Sequence, residues 1–334
     1  GSLVVKSFGA FNISLGSTFS LINSGSTVTV ETDGELSVMS SMSVGVGSNL
    51  TVAGGIMRVG SASVVSSLSL FGACDITSSG HLYVESSGTV YVSSGSIFSL
   101  VGSGSSVIVG TDGLLTIFSS VSIGAGSTFS FVGGSGSIST GGSMPGVFGS
   151  LEVGDGSIFT LTNGSGVTVG SGGTVVLYNA GQMYIQSAMS SYLELLDGSN
   201  LGVTGASSLN VYGNIRMQSS SSLYLSNGTM TVFSGGSFTV SGSTTISSSG
   251  ELVLDSGTSS VLSGGSVSST GSIGMLGTSS LSITSGGTVS VNGGTMSVGN
   301  SSTLSLVSGS MSVGGGGVAS SLTLIGECTL SSNG

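Results

Sequence analysis

Side chains able to do acid–base chemistry are few in this chain. Lys and Arg together number 3, Asp and Glu number 13, and there is one His. Cleavage of a polysaccharide needs paired carboxylates, or a carboxylate and a cation, converging on one face. The cations Lys6, Arg58 and Arg216 are far apart in the sequence, and many acids lie in turn tripeptides such as Thr32-Asp33-Gly34. We therefore expect no enzymatic activity and no catalytic residue.

The single histidine lies in the segment His81-Leu82-Tyr83-Val84-Glu85. Strand alternation turns Leu82 and Val84 inward and leaves His81, Tyr83 and Glu85 on an outer face, with neither a nucleophile nor an enclosed pocket. The turn aspartates lack the Gly-Gly-x-Gly-x-Asp nonapeptide of calcium-binding solenoids, so we expect them to shape turns. No cofactor and no metal site is predicted.

Both cysteines occupy positions at which strand alternation turns the side chain toward the core. Cys74 precedes Ile76, and Cys328 precedes Leu330, each with one residue between. A buried free cysteine behaves as a small hydrophobic residue. Because the two are far apart in the sequence and a disulfide needs Cα atoms within about 7 Å, we predict that they are not bonded to each other.

The tyrosines are the one residue type whose positions suggest a contact surface. All seven tyrosines flank inward residues, which predicts that they face outward, whereas Phe98, Phe129, Phe131, Phe159 and Phe238 occupy inward positions. Exposed aromatic residues on one stretch suggest contact with a partner or a glycan. The competing interpretation is that tyrosine simply favours strands. The candidate contact residues are the five tyrosines between positions 178 and 224: Tyr178, Tyr184, Tyr192, Tyr212 and Tyr224.

Composition excludes several classes of protein. The net charge is −10 and charged residues are only 5 %, which excludes a nucleic-acid binder because phosphates are bound by Lys and Arg. Hydrophobic residues are 38 %, more than disordered chains contain. No apolar run reaches the ~18 residues of a membrane-spanning helix. The large shares of Gly and Ser, 62 and 83 residues, indicate a fold rich in turns.

Pairs of apolar residues separated by one outward position recur every 6–9 residues along the chain. Period-two alternation indicates strands, and the intervening Gly, Ser, Asn and Asp indicate turns. No segment shows the 3.6-residue period of a helix. Examples of the pairs are Phe19/Leu21, Val28/Val30, Leu36/Val38, Met42/Val44, Leu50/Val52, Val289/Val291, Met296/Val298, Leu304/Leu306 and Met311/Val313.

Longer internal repeats overlie this pattern. Segment 16–55 matches 95–134, and segment 42–80 matches 296–334, including both cysteines. We expect residues 1–334 to form a single continuous array, a segment of a longer one.

Strands with only two inward side chains must share a core with many others. The sequence therefore predicts an all-β fold, a parallel β-solenoid of short strands with essentially no helix. Each coil of a solenoid forms one rung of the stack. A rung of two strands would take roughly 16 residues and a rung of three strands roughly 23, and both rung sizes remain open. A silk-like stacked sheet is the competing fold, although silks repeat more uniformly and lack the Leu, Val, Ile and Phe pairs.

These features resemble the right-handed β-helical shafts of autotransporter passenger domains and filamentous-haemagglutinin-like adhesins. The resemblance covers the whole chain but involves no diagnostic motif. It implies a location outside the cell or on its surface. We expect a structural protein that forms the shaft of a filament, sheath or surface appendage and has itself as partner, end to end or laterally. The alternative is an adhesin or stalk whose outward tyrosines bind surface glycans. A polysaccharide-acting enzyme and an ice-binding solenoid are weaker alternatives.

Overall fold

The computed structural model describes residues 1–61, 65–138, 143–162, 164–186, 191–247, 249–284, 286–314 and 319–331. By its internal contacts the chain divides into two compact units, Gly1–Val167 (unit 1) and Thr168–Gly334 (unit 2). The described residues form short strands joined by turns, with no helix among them.

The strands up to residue 169 are β1 (Ser2–Val5), β2 (Ala10–Ile13), β3 (Thr18–Leu21), β4 (Thr27–Val30), β5 (Glu35–Val38), β6 (Ser41–Val44), β7 (Asn49–Ala53), β8 (Ile56–Val59), β9 (Ser66–Leu70), β10 (Ala73–Thr77), β11 (His81–Val84), β12 (Gly88–Val92), β13 (Ile97–Val101), β14 (Ser106–Val109), β15 (Leu114–Ile117), β16 (Ser120–Ile123), β17 (Thr128–Val132), β18 (Ser135–Ile138), β19 (Ser143–Val147), β20 (Ser150–Gly154), β21 (Ile158–Leu161) and β22 (Gly166–Val169).

The later strands are β23 (Thr174–Leu177), β24 (Gln182–Ile185), β25 (Tyr192–Leu195), β26 (Asn200–Thr204), β27 (Ser208–Val211), β28 (Asn214–Met217), β29 (Ser222–Ser226), β30 (Thr229–Val232), β31 (Ser237–Val240), β32 (Ser243–Ile246), β33 (Glu251–Asp255), β34 (Thr258–Val261), β35 (Ser266–Ser269), β36 (Ser272–Leu276), β37 (Ser280–Thr284), β38 (Thr288–Val291), β39 (Thr295–Val298), β40 (Thr303–Val307), β41 (Ser310–Val313), β42 (Ser321–Leu324) and β43 (Glu327–Ser331).

Each unit is a three-sided parallel β-solenoid. In unit 1, sheet A has the order β1-β4-β7-β10-β13-β16-β19, sheet B runs from β2 to β20 and sheet C from β3 to β21, always in steps of three strands. In unit 2, sheet A runs from β25 to β43, sheet B from β23 to β41 and sheet C from β24 to β42, again in steps of three strands. A rung therefore contains three strands and about 23 residues. The prediction of an all-β parallel solenoid without helix is confirmed, and of the two rung sizes left open, the larger is observed.

The core consists of the predicted inward pairs, stacked rung upon rung. In sheet A, Val28 lies opposite Leu50, Leu50 opposite Cys74, and Cys74 opposite Phe98. These four side chains are fully buried. Each inward residue thus packs on its equivalents above and below, which is how strands with two inward side chains obtain a shared core.

Burial is incomplete in the first and last described rungs. Phe19, Leu306, Met311 and Val313 are only half-buried, although they occupy inward positions. β3 and β41 end their sheets among the described strands, and β40 has only β43 beyond it, so these residues are covered less completely than inward residues of the middle rungs.

The turns explain why Gly and Ser are so abundant. Gly47 adopts a positive φ of 72°, which glycine tolerates without strain, and the next residue, Ser48, is fully buried. The Ser48 hydroxyl donates a hydrogen bond to the carbonyl oxygen of Asn23 at 3.0 Å. Similar buried serines at other turns bond backbone carbonyl groups: Ser96, Ser127, Ser165, Ser199, Ser221 and Ser302. A carbonyl oxygen can accept two hydrogen bonds, so these contacts satisfy the buried serine hydroxyls even where the carbonyl group already accepts a backbone N–H.

Unit 1 contains a cluster of inward phenylalanines, as predicted. The rings of Phe98, Phe129, Phe131 and Phe159 form consecutive contacts with centroid separations of 6.4, 5.5 and 5.3 Å. Gly136 occupies an inward position beside them, and a Cβ atom there would overlap the ring of Phe131. The missing side chain of Gly136 therefore gives the large rings their space.

The two long repeats relate to the sheets differently. Segment 42–80 and its copy at 296–331 have the same phase, so that β7 and β40 both belong to sheet A. Segment 16–55 and its copy at 95–134 are out of phase: β4 belongs to sheet A, whereas the matching β14 belongs to sheet B. Closely related sequences therefore form different faces, because all three faces require the same inward pair.

Candidate functional surfaces

All seven tyrosines face outward, as the alternation predicts. The five candidate contact tyrosines, however, lie on all three sides of unit 2. Tyr192 lies in β25 of sheet A, Tyr224 in β29 of sheet B and Tyr184 in β24 of sheet C. Tyr178 follows β23 and Tyr212 follows β27, both at corners. Their proximity in sequence does not place them on one surface, because a segment of 47 residues spans about two rungs.

One tyrosine borders a shallow depression on sheet A. This sheet A depression has a volume of about 210 Å³ and is lined by Tyr192, Glu194, Asn214 and Arg216. Tyr192 lies opposite Asn214, and Glu194 opposite Arg216, on the adjacent strands β25 and β28. Parallel pairing thus brings an aromatic ring, a carboxylate, an amide and a guanidinium group together.

Hydrogen bonds hold two of these side chains. The Ser237 hydroxyl donates to Asn214 Oδ1 at 2.7 Å, and Gln218 Nε2 donates to Glu194 Oε1 at 3.4 Å. Among the described residues, Arg216 forms no ion pair although Glu194 lies opposite it. Its guanidinium group therefore keeps donors available at the rim of the depression.

A second polar group lies on sheet B of unit 1. Arg58 Nε is 3.0 Å from Glu35 Oε1, and Arg58 Nη1 is 2.9 Å from Glu85 Oε1. The guanidinium carbon is 4.9 Å from the centroid of the Tyr83 ring, close enough for a cation–π contact. The hydrogen bond with Glu85 raises the pKa of Arg58, and that with Glu35 adds to the rise. Arg58 is thus paired with carboxylates of the same cluster, as in a contact that stabilises the fold.

Sequence analysis did not associate these three residues. Glu35, Arg58 and Glu85 are 23 and 27 residues apart, which is about one rung in each step. The spacing would have revealed the cluster had the three-sided rung been known.

His81 lies on the same outer face of sheet B. Its Nδ1 atom is 2.8 Å from the hydroxyl oxygen of Ser106, which occupies the opposite position on β14. The His81 and Tyr83 rings are 6.1 Å apart. The predicted outward orientation of His81, Tyr83 and Glu85 is confirmed, and Ser106 is the neighbour that sequence reasoning did not identify.

The two cysteines are free thiols on sheet A. Cys74 is fully buried, and this burial raises the pKa of its thiol. Cys328 lies opposite Leu304 at an inward position but is exposed. The expected burial is thus correct for Cys74 and wrong for Cys328, because β43 pairs with β40 and with no other described strand.

The corner between sheets C and A carries an exposed apolar ridge. Over the first five rungs of unit 1, the residue directly after the sheet C strand alternates between large and small, whereas β21 is followed by Thr162. In unit 1 the series is Ile22, Gly45, Phe71, Ser93 and Phe118. Backbone amides at this position bond the carbonyl group of the rung below, as in Phe71 to Val44, so the series forms a column.

Unit 2 has the same corner ridge. Tyr212 and Phe233 stack with a centroid separation of 4.3 Å and an angle of 6° between their planes. Both are large and lie in consecutive rungs. In the following rungs, Asp255, Leu276, Gly299 and Ile325 occupy the equivalent register positions, and there small and large residues alternate. Leu276 is 51 % exposed and Ile325 69 %, compared with 43 % for Phe71 of unit 1. We define the corner ridge as the large members: Ile22, Phe71 and Phe118 in unit 1, and Tyr212, Phe233, Leu276 and Ile325 in unit 2.

The part of the chain that the structure describes contains no group of three His, Cys, Asp or Glu side chains arranged to hold a metal ion. In that same part, no helix has the length and apolar character needed to span a membrane.

Comparisons with known proteins find likenesses among solved structures. No protein-family model matches the chain, and no curated protein matches its sequence. Among solved structures, it is similar to the crystal structure of a TibC-catalysed, hyper-glycosylated TibA fragment, at 19 % identity and a TM-score of 0.42. The match covers 96 % of this chain and 99 % of that one.

Proposed function

We propose that this protein is a non-catalytic structural protein of the cell exterior, the shaft of a filament, sheath or surface appendage whose copies associate side by side. The corner ridge is the observation that carries the proposal. In unit 1, Phe71 lies between Gly45 and Ser93, and in unit 2, Leu276 lies between Asp255 and Gly299, so large side chains alternate with smaller ones in these parts of the ridge. Two such ridges shifted by one rung would place the large residues of one copy against the small residues of the other.

The spacing along the ridge fits this arrangement. Adjacent rungs of a parallel sheet are about 4.8 Å apart, so large residues two rungs apart are separated by about 10 Å. That gap accommodates one side chain from the facing ridge. Burying exposed Phe, Leu and Ile side chains supplies the favourable free energy, at about 25 cal/mol per Å² of apolar surface.

The charge distribution also favours close association. Charged residues make up 5 % of the chain, so like-charge repulsion between copies is weak despite the net charge of −10. The low content of Lys and Arg, 3 residues, leaves few sites for trypsin-like proteases, which suits a durable exterior protein.

The ion pairs support a structural interpretation over an enzymatic one. Arg58 is engaged by both Glu35 and Glu85, which leaves these charges bound to each other. A catalytic carboxylate must instead face a substrate.

The alternative of a stalk that binds glycans along a tyrosine surface receives less support. The five tyrosines lie on different sides of unit 2, so a long glycan could not contact them together. Of the five, Tyr192 lines the sheet A depression.

Sedimentation velocity tests the proposed association. The full chain should form larger species as its concentration rises, and the double variant Phe71→Ser/Leu276→Ser should remain smaller. The matched control is Phe148→Ser, which removes a phenylalanine of 49 % exposure at a different corner. Equal behaviour of the double variant and the wild type would overturn the proposal.

A further inference from the structure

We propose that the sheet A depression of unit 2 is a binding site for one neutral pyranose ring. This site would be an addition to the shaft role and does not depend on it. The juxtaposition that carries it is Tyr192 and Glu194 on β25 with Asn214 and Arg216 on β28.

The size of the depression limits the ligand. Its volume of about 210 Å³ lies below the ~300–1,000 Å³ of pockets that enclose drug-sized molecules. It is open to solvent, since it is formed by the outer face of a sheet. A single sugar ring of a longer glycan can therefore enter while the rest of the glycan stays in water.

The chemistry of the lining matches a ring with an apolar face and polar edges. The half-buried ring of Tyr192 offers an apolar surface to the C–H groups of a pyranose. Sugar hydroxyls both donate and accept hydrogen bonds, so they need acceptors and donors around them. Glu194 supplies carboxylate oxygens, while Asn214 and Arg216 supply N–H groups.

Existing hydrogen bonds orient these groups. Asn214 Oδ1 accepts a hydrogen bond from Ser237 at 2.7 Å, which fixes the amide with its Nδ2 group free to donate elsewhere. Arg216 is unpaired among the described residues, in contrast to Arg58 of unit 1 with its two carboxylates. An arginine opposite a glutamate with no ion pair leaves both groups able to bond a ligand between them.

The local charge favours a neutral sugar over an acidic one. Glu194 and Asp197 both lie beside Arg216 in the adjoining hollow of the surface. These two nearby carboxylates would repel a sugar acid. A neutral ring avoids that repulsion and keeps the hydrogen bonds.

Saturation-transfer NMR on the full chain tests the site. The probes are the methyl α-pyranosides of glucose, galactose and mannose, with the methyl glycoside of N-acetylneuraminic acid as the acidic comparison. We expect at least one neutral glycoside to bind the wild type. Tyr192→Ser should weaken that binding by about tenfold, the scale of one lost aromatic contact, while Tyr192→Phe should preserve it.

Tyr184→Ser is the matched control, because Tyr184 lies on sheet C and donates a hydrogen bond to its own neighbour Gln182 at 2.7 Å. It should bind as the wild type does. Should Tyr192→Ser fail to fold by circular dichroism, Arg216→Gln provides a second variant, also expected to bind more weakly. Failure of all three neutral probes, equal losses at Tyr192 and Tyr184, or binding of the acidic probe alone would overturn the assignment.

Discussion

Arg58 and Glu85 are 27 residues apart in the chain, yet Arg58 Nη1 lies 2.9 Å from Glu85 Oε1. The solenoid makes residues one rung apart into neighbours, so its surface clusters are recognisable only through the rung length. The same geometry places Glu194 opposite Arg216 in unit 2, where no ion pair forms among the described residues.

Substituting the two arginines should therefore have different effects. Arg58→Gln removes two partly exposed ion pairs and the contact with Tyr83, and should lower the free energy of unfolding by about 1 kcal/mol at low salt. Arg216→Gln should change it little. Urea titrations of both variants at low and high NaCl measure the difference, which should shrink with salt because ions screen exposed charges. A loss of equal size for both arginines would contradict this account.

Substitution of the buried turn serines Ser48 and Ser207 should also affect stability to different extents. Ser48→Ala deletes the hydrogen bond to the carbonyl oxygen of Asn23 and should cost about 1 kcal/mol. Ser207 is nearly as buried, but its hydroxyl has no hydrogen-bond partner among the described residues. Ser207→Ala should thus be neutral or stabilising, since it removes an unpaired buried hydroxyl. Thermal denaturation of the pair checks the prediction, and destabilisation by Ser207→Ala would refute it.

The close packing of the phenylalanine cluster predicts that a larger residue at Gly136 destabilises the protein. Gly136→Ala places a methyl group against the ring of Phe131 and should destabilise the protein by about 1–3 kcal/mol through overpacking. Gly202 also lies within a strand, but a Cβ atom there would meet only Val176 at 3.9 Å. Gly202→Ala should be tolerated. Similar unfolding midpoints for the two variants would mean that Gly136 does not make room for the rings.

The thiols provide a chemical test of the core. In the native protein, a thiol reagent such as Ellman's reagent should modify Cys328 quickly and Cys74 only after unfolding. Two rapidly reacting thiols in the native chain would place Cys74 outside the core.

The raised pKa of Cys74 also implies a dependence of stability on pH. Below about pH 8.5, the thiol is protonated in both folded and unfolded states. Above that value the unfolded state releases the proton while the native state retains it, so the free energy of unfolding should fall by about 1.4 kcal/mol per pH unit. Cys74→Ala should reduce this slope between pH 9 and 10, as measured by urea titration; an unchanged slope would be inconsistent with a buried thiol.

The fold was predictable because its signal is local and repeated. Alternation alone identified Val28 and Val30 as inward, and both are fully buried. The number of sides was not predictable from the repeat of segment 16–55, because its β4 recurs as β14 on another sheet. A repeat that does not return to the same face carries no direct record of rung length.

The candidate surfaces could be located only once the number of residues per rung was known. Without it, Tyr184 and Tyr192 seemed to belong to one surface, whereas they occupy sheets C and A. The pairing of Tyr192 with Asn214 and the alternation of Gly45 with Phe71 likewise became visible only when strands were assigned to rungs.

Cryo-electron microscopy of the full chain at rising concentration tests the central claim most directly. Side-by-side association through the corner ridge predicts bundles or filaments of aligned shafts, each with an internal spacing near 4.8 Å. Phe71→Ser/Leu276→Ser should give separate particles with that spacing intact, and Phe148→Ser should still form bundles. Dispersed wild-type particles at every concentration, or bundles unaffected by the double substitution, would contradict the claim.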